Sequence, residues 1–552
     1  MYLDEGKIYL GLADGKKVEL QLPMCNRHGL IAGASGTGKT VTMKVIAESF
    51  SDAGVPVFLC DVKGDVSGLC APGEQTESMD KRIDKFGVRG AFSYRSYPVC
   101  FWDVYGQTGH PVRTTVSEMG PELLARILSL TPAQQGLLNI VFRIADDKGL
   151  LLTDLKDLRA MINYVSEHKA EFITSYGNIA TATVGALVRS LLPLEAQGGN
   201  EFFGEPALDI RDWIRTAPDG RGMVNLLDCT VLSQNPTLYA MFLLWMMSEL
   251  YEDLPEVGDP EKPKLVFFFD EAHTLFTDTP KALVQKIEQV VKLIRSKGVG
   301  IYFVTQNPTD IPDGVLAQLS NRVQHALRAY TPAEQKAVRA AAQAFRVNPA
   351  FKTEEVISQL GVGEALVSVL DEKGIPTVVE KTSIICPQSL MAPADEASRA
   401  EARRTDCMRK YDVSFDAESA YEVLTGAKAE EAPAPVQEAA PAVTAADKQK
   451  EKEEAEERKR QQKLEDEERK RQQKLEDEER KRQQKLEDEE RRRQQKLEDE
   501  ARKKEEKAKE KEEAEKKKKA DRRASKIETQ IISTGGQLVR RGLLSTLKKI
   551  FD

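Results

Sequence analysis

The sequence lacks cysteine pairs, a membrane-length apolar run and any overall basic excess. Its seven cysteines (Cys25, Cys60, Cys70, Cys100, Cys229, Cys386 and Cys407) form no C-x-x-C spacing and have no histidine at metal-ligand spacing. They read as reduced structural thiols, and the expected location is cytoplasmic. The longest apolar helix candidate, Leu238 to Tyr251, is too short to cross a bilayer and contains Glu249. The start, Met1-Tyr2-Leu3-Asp4-Glu5, has neither the basic residues nor the apolar run of a signal peptide. Residues 1–450 hold 46 basic and 59 acidic residues, a formal charge of −13. Such a balance does not suit a protein that coats nucleic acid non-specifically, so any DNA contact needs a local basic patch such as the lining of a ring.

What is present divides into unlike regions. Residues 451–522 have 55 charged positions out of 72 and are nearly neutral, so the chain-wide 41% hydrophobic content understates the rest. Residues 7–22 alternate around Asp14-Gly15, a hairpin signal. Apolar runs follow at Gly29–Ala32, Val55–Cys60, Val224–Leu227, Leu265–Phe269, Val299–Thr305 and Val323–Leu327. Runs apolar on both faces fit strands of a parallel sheet covered by helices, which makes the fold class α/β. Between them, residues 112–215 show helical periodicity (Pro121–Leu130, Gln134–Ile144, Leu155–Val165, Ala180–Leu192) and read as an all-helical insertion. The core is therefore expected in two parts, 1–111 and 216–385, followed by a linker over 386–447 that is Ala/Pro-rich from 428.

Residues 448–522 carry an eleven-residue repeat, ERKRQQKLEDE, beginning at Glu457, Glu468 and Glu479, with a variant at Glu490. A coiled coil is one reading, but a single leucine per repeat (Leu464, Leu475, Leu486, Leu497) is a thin seam. Acid-to-base pairs at i,i+4, such as Glu465–Arg469 and Asp466–Lys470, favour a solvated single helix on the order of 100 Å long. Residues 523–552 form a basic amphipathic tail, with Ile527, Ile531, Leu538, Leu543, Leu547 and Ile550 flanked by Arg540, Arg541, Lys548 and Lys549. Such a tail can dock on an anionic membrane or on a protein partner.

The chemistry lies earlier. Gly33-Ala34-Ser35-Gly36-Thr37-Gly38-Lys39-Thr40 fits G-x-x-x-x-G-K-[ST], with a strand leading in and a helical pattern, Val41–Phe50, leading out. Glycines let backbone N–H groups curl around phosphates, and the helix N-terminus adds its positive end. Lys39 is expected on the β- and γ-phosphates of ATP and the Thr40 hydroxyl on Mg²⁺. The run Leu265–Phe269 delivers Asp270 and Glu271 at a strand end, Asp270 for the Mg²⁺ water shell and Glu271 to activate the attacking water. Gln306, closing the next strand, is placed to sense the γ-phosphate. Asp270-Glu271-Ala272-His273 invites a DEAH-box reading, yet no S-A-T and no Q-R-x-G-R-x-G-R motif follows. A kinase reading lacks any mark of an acceptor site.

Asn26-Arg27-His28-Gly29-Leu30-Ile31, FFFDEAH (267–273), Arg295-Ser296-Lys297-Gly298-Val299-Gly300, TQNPTDIP (305–312) and Asn321-Arg322-Val323-Gln324-His325 together resemble the HerA/FtsK superfamily of P-loop ring ATPases, nearest the bacterial HerA-like, YjgR-type proteins. The resemblance covers about residues 1–385. It implies a RecA-like core, ATP hydrolysis, a homo-hexamer with sites between subunits, and DNA as substrate for a translocase or helicase. It further implies that Arg295, eleven positions before Gln306, reaches a neighbour's site as an arginine finger. Arg322 is a weaker second candidate, and Asp61, with Lys63 and Asp65, stands at a strand edge facing the nucleotide. Archaeal members carry an N-terminal barrel that docks a nuclease, whereas only a short stretch precedes the phosphate loop here, so a nuclease partner is not carried over. An ATP-driven protein remodeller or scaffold is the alternative, favoured by the −13 charge of residues 1–450.

Overall fold

The computed structural model describes residues 3–4, 6–276, 281–405 and 408–426. The charged repeat, the basic tail and the Ala/Pro-rich stretch lie outside them. Seven parallel strands form the centre of a large sheet. In spatial order they are Val99–Asp103, Val224–Asp228, Val57–Asp61, Leu265–Phe269, Val299–Thr305, Gly29–Ala32 and Asn321–Gln324. All but the last are wholly buried or nearly so, as runs apolar on both faces require.

Alternate residues of these strands feed two separate cores. Phe58, Cys60, Phe267, Phe269, Ile301 and Phe303 point to one face, and Val57, Leu59, Val266, Phe268, Tyr302 and Val304 to the other. On the first face lie helix Pro236–Asp253 and a layer of helices between residues 116 and 202, which share one continuous core with the sheet. On the second lies helix Lys39–Asp52, through Met43, Ile46, Ala47 and Phe50. Three of the layer's helices begin where side chains satisfy their free N–H groups. Thr115 with Glu118, Thr131 with Gln134, and Asp154 with Asp157 each make a reciprocal capping box.

Three features were not visible as runs. Val99–Asp103 adds a parallel strand beside Val224–Asp228. Two antiparallel strands, Glu364–Ser368 and Glu380–Ile384, extend the sheet from Asn321–Gln324 to the N-terminal hairpin. That hairpin, Lys7–Ala13 with Lys16–Gln21, turns at Asp14 and Gly15, both left-handed as a two-residue mirror-image turn demands.

The third concerns residues 386–426, assigned to a linker on composition. They are instead a strap fixed by buried charges. Glu48, fully buried, accepts hydrogen bonds from the Gln388 and Ser389 N–H groups (2.8 and 3.0 Å) and the Ser389 hydroxyl (2.6 Å). Lys44, one turn earlier on the same helix, donates to the Leu390 and Met391 carbonyls. Further on, the Ser419 hydroxyl donates to Asp157 and Lys156 pairs with Glu422, binding the strap to helix Leu155–Glu167. Among the described residues no single helix is long and apolar enough to cross a membrane.

Candidate functional site

Strand Gly29–Ala32 runs straight into the glycine loop. Gly33 N–H donates to the Thr305 carbonyl at 3.2 Å and Ala34 N–H to that of Ala326 at 2.8 Å, so the neighbouring parallel strands fix the loop's entry. Gly36 (φ 74°) and Gly38 (φ 112°) hold left-handed backbone that turns the chain into helix Lys39–Asp52. A Cβ at Gly33 would lie 2.5 Å from Cβ of His325, so the loop also needs glycine there for want of room. His325 braces it from behind. Its Nδ1 meets the Glu364 carbonyl at 2.9 Å and must donate, leaving Nε2 to accept from the Thr42 hydroxyl at 2.9 Å.

Inside the loop, Lys39 Nζ donates to the Gly33 and Ala34 carbonyls at 2.7 and 3.1 Å. Burial, and then the nearby Lys63, push its amine below the usual lysine range. Ser35 and Gly36 are exposed at the mouth, while Thr37 is buried, its hydroxyl on the Ala34 carbonyl. Thr40 opens the helix with its hydroxyl 3.3 Å from Asp65 Oδ2.

The carboxylates arrive from two strands away. Leu265–Phe269 and Gly29–Ala32 are separated by Val299–Thr305, so Gln306 emerges between the glycine loop and Glu271. Asp270 is 3% exposed, and burial first, then Glu271, raises its carboxyl to about 7, against the pull of Lys63. Its Oδ2 and Oδ1 of Asp65 are buried and have no hydrogen-bond partner among the described residues. With the Thr40 hydroxyl, which contacts Asp65, these unsatisfied carboxylate oxygens are hard donors of the kind that suits Mg²⁺, which takes few protein ligands when phosphates and water supply the rest.

Glu271 sits in left-handed backbone (φ 45°). Its Oε1 pairs with Lys63 Nζ, Gln306 Nε2 lies 3.3 Å from both oxygens, and His273 Nδ1 lies 3.2 Å from Oε2. Burial pushes its carboxyl up, but Lys63 and Gln306 outweigh that and hold it below the usual range.

Other expected residues have different surroundings. The Asp61 carboxylate accepts the N–H groups of Gly64 (2.7 Å) and Val66 (3.0 Å), so it shapes the loop that presents Lys63 and Asp65. Arg295 precedes strand Val299–Thr305, at the sheet edge opposite the glycine loop and about 23 Å away by strand length. It donates to both Asp259 oxygens (2.8 and 3.1 Å), which Arg27 also contacts at 2.9 Å. It is therefore outside the site of its own chain. Arg322 donates to the carbonyls of Leu319, Leu316 and Ala344, a set that ties down backbone and leaves no nitrogen aimed at the loop.

The family described as "Helicase HerA-like C-terminal" matches residues 10–483. The DNA double-strand break repair helicases HerA of Saccharolobus solfataricus and Sulfurisphaera tokodaii are 19% and 20% identical over 377 and 381 residues, 66% of this chain and 67% of each relative. Among solved structures, the plasmid coupling protein TrwB in complex with ADP and Mg²⁺ is 15% identical with a TM-score of 0.47, covering 72% of this chain and 92% of its own. VirB4 of Thermoanaerobacter pseudethanolicus is 16% identical with a TM-score of 0.46, covering 72% and 98%.

Proposed function

Since the chain belongs to the HerA-like helicase family, we propose that it is an Mg²⁺-dependent ATPase motor that assembles as a homo-hexamer and translocates double-stranded DNA. The observation that supports hydrolysis most directly is the contact of Gln306 with both oxygens of Glu271, beside a lysine-bearing glycine loop. In this reading the loop's N–H groups and Lys39 bind the triphosphate. Thr40 and Asp270 would hold Mg²⁺, which supplies charge neutralisation on the β- and γ-phosphates. Glu271 orients the attacking water and takes its proton while the water oxygen bonds to the γ-phosphorus. The bond to the β-phosphate oxygen breaks, and ADP and phosphate leave. Gln306 orients Glu271 and the terminal phosphate, and Arg295 of a neighbouring subunit stabilises the charge that develops there.

A second reading is an ATP-driven protein remodeller or scaffold. It draws support from the −13 charge of residues 1–450, which opposes broad DNA contact. ATP turnover measured with and without double-stranded DNA across a salt series separates the two. Stimulation by DNA that fades as salt rises is expected for the translocase. Turnover indifferent to DNA at every salt concentration would leave the remodeller.

A further inference from the structure

The phosphate cradle holds two lysines, and the glycine loop accounts for only one. Lys63 follows strand Val57–Asp61, the direct neighbour of Leu265–Phe269. Its loop is set by Asp61, whose two oxygens accept from Gly64 and Val66, and by left-handed Gly64 (φ 76°). From that fixed turn Lys63 Nζ reaches across to Glu271 Oε1.

That contact completes the enclosure of Glu271. Each carboxylate oxygen has two lone pairs, and Oε1 meets both the Lys63 ammonium and the Gln306 amide, while Oε2 meets Gln306 with His273 Nδ1 3.2 Å away. Oε1 has both lone pairs taken, so the ammonium or the amide must withdraw before that oxygen can accept a water proton. Gln306 is neutral and gains less from a phosphate than an ammonium group does. Lys63 carries a full charge on a flexible stem, is 42% exposed, and stands close enough to Lys39 to depress that amine. A terminal phosphate, with more charge and three acceptor oxygens, outcompetes a single carboxylate for such an ammonium group.

We propose that Lys63 is a latch that senses the terminal phosphate: it pairs with Glu271 until a nucleoside triphosphate binds, then exchanges onto the γ-phosphate and frees Glu271 Oε1 for water. This rests on the ATPase reading of the site. The latch couples base activation to triphosphate rather than diphosphate, because a diphosphate has no γ-oxygens to draw Lys63 away.

The test is a binding cycle on the full chain, with Mg²⁺-ADP and a non-hydrolysable Mg²⁺-ATP analogue as probes. The proteins are wild type, Lys63→Met, Glu271→Gln and the double variant, each confirmed folded by circular dichroism. Lys63→Met is expected to lower the preference for triphosphate over diphosphate by about tenfold. Glu271→Gln, which weakens Lys63's other partner, should raise that preference several-fold, and the gain should vanish in the double variant. A gain of equal size with and without Lys63 overturns the latch, as does an unchanged preference in Lys63→Met. Should Lys63→Met fail to fold, Lys63→Gln carries the same cycle. Failure of the ATPase reading looks different: wild type would bind neither probe, or Lys39→Ala would bind both unimpaired, and the latch would fall with it.

Discussion

Gln306 Nε2 lies 3.3 Å from each carboxylate oxygen of Glu271, across two adjacent parallel strands in which Phe303 pairs with Phe269. The register of the sheet, together with the left-handed backbone at Glu271, therefore sets the distance between these two side chains.

Glu271→Gln should keep nucleotide binding and lower hydrolysis at least about a hundredfold, because the base is gone while the loop is untouched. Lys39→Ala should instead weaken binding itself. Nucleotide affinity by fluorescence titration, alongside phosphate release, separates the two. Near wild-type turnover in Glu271→Gln would remove it from the mechanism.

Arg295 is bound to Asp259 at the far edge of the sheet, so its proposed role requires a second subunit. Arg295→Ala should bind ATP as wild type does and hydrolyse it about a thousandfold more slowly. Mixing it with Lys39→Ala subunits should restore part of the activity at hybrid sites, where an intact loop meets an intact arginine. Absence of rescue in subunits shown to co-assemble counts against action in trans.

Two buried histidines give stability a pH dependence of known sign. His28 Nδ1 accepts the Ile301 N–H at 3.0 Å and its Nε2 donates to the Val291 carbonyl at 2.8 Å, an arrangement for the neutral ring. Burial lowers its pKa to about 4, and that of His325 to about 4 as well. An unfolded histidine takes a proton near pH 6.5, so between there and pH 4 the unfolded chain holds more protons. Stability from each ring is complete above 6.5 and falls by on the order of 3 kcal/mol as pH drops to 4. Glu48 and Asp61, raised by burial to about 7 and about 6, slope the opposite way over an overlapping range. The histidine share is thus read as a difference: urea midpoints of His28→Asn against wild type, from pH 7 to 5, should converge as pH falls. Parallel curves would contradict it.

Glu48→Ala strips three hydrogen-bond donors of their acceptor in a buried interface and should cost about 3 kcal/mol. The strap should then be cut by protease between residues 386 and 394, while strand Val57–Asp61 stays protected. Unchanged cleavage would mean that Lys44 and the backbone bonds to Ala71, Gly73 and Arg95 hold it without Glu48.

Sequence reading recovered what is local. The glycine loop and the run ending in Asp270-Glu271 announce themselves because strand, turn and charge are contiguous. The central strands are legible for the same reason, being apolar on both faces. Val99–Asp103 was missed although equally buried, because the polar, aromatic stretch before it gives no strand boundary. Lys63 drew attention by position, but its pairing with Glu271 joins residues more than two hundred positions apart. The strap was hidden too: its anchors Lys44 and Glu48 look like solvated charges on a helix, and only packing shows that residues 388–391 cover them. Arg322 shows how little a motif says about contacts, since within its own chain the fold places its donors on three carbonyls.

The strap also defines a route for mechanical load. Tension entering at Gly426 is taken first by Ser419 on Asp157 and by Glu422 on Lys156, and then by the bonds to Glu48 and Lys44. Those last two residues lie in the second and third turns of the helix that begins with Lys39. A pull along the chain is therefore delivered to the helix that leads out of the glycine loop, and any displacement of that helix is returned along the same line.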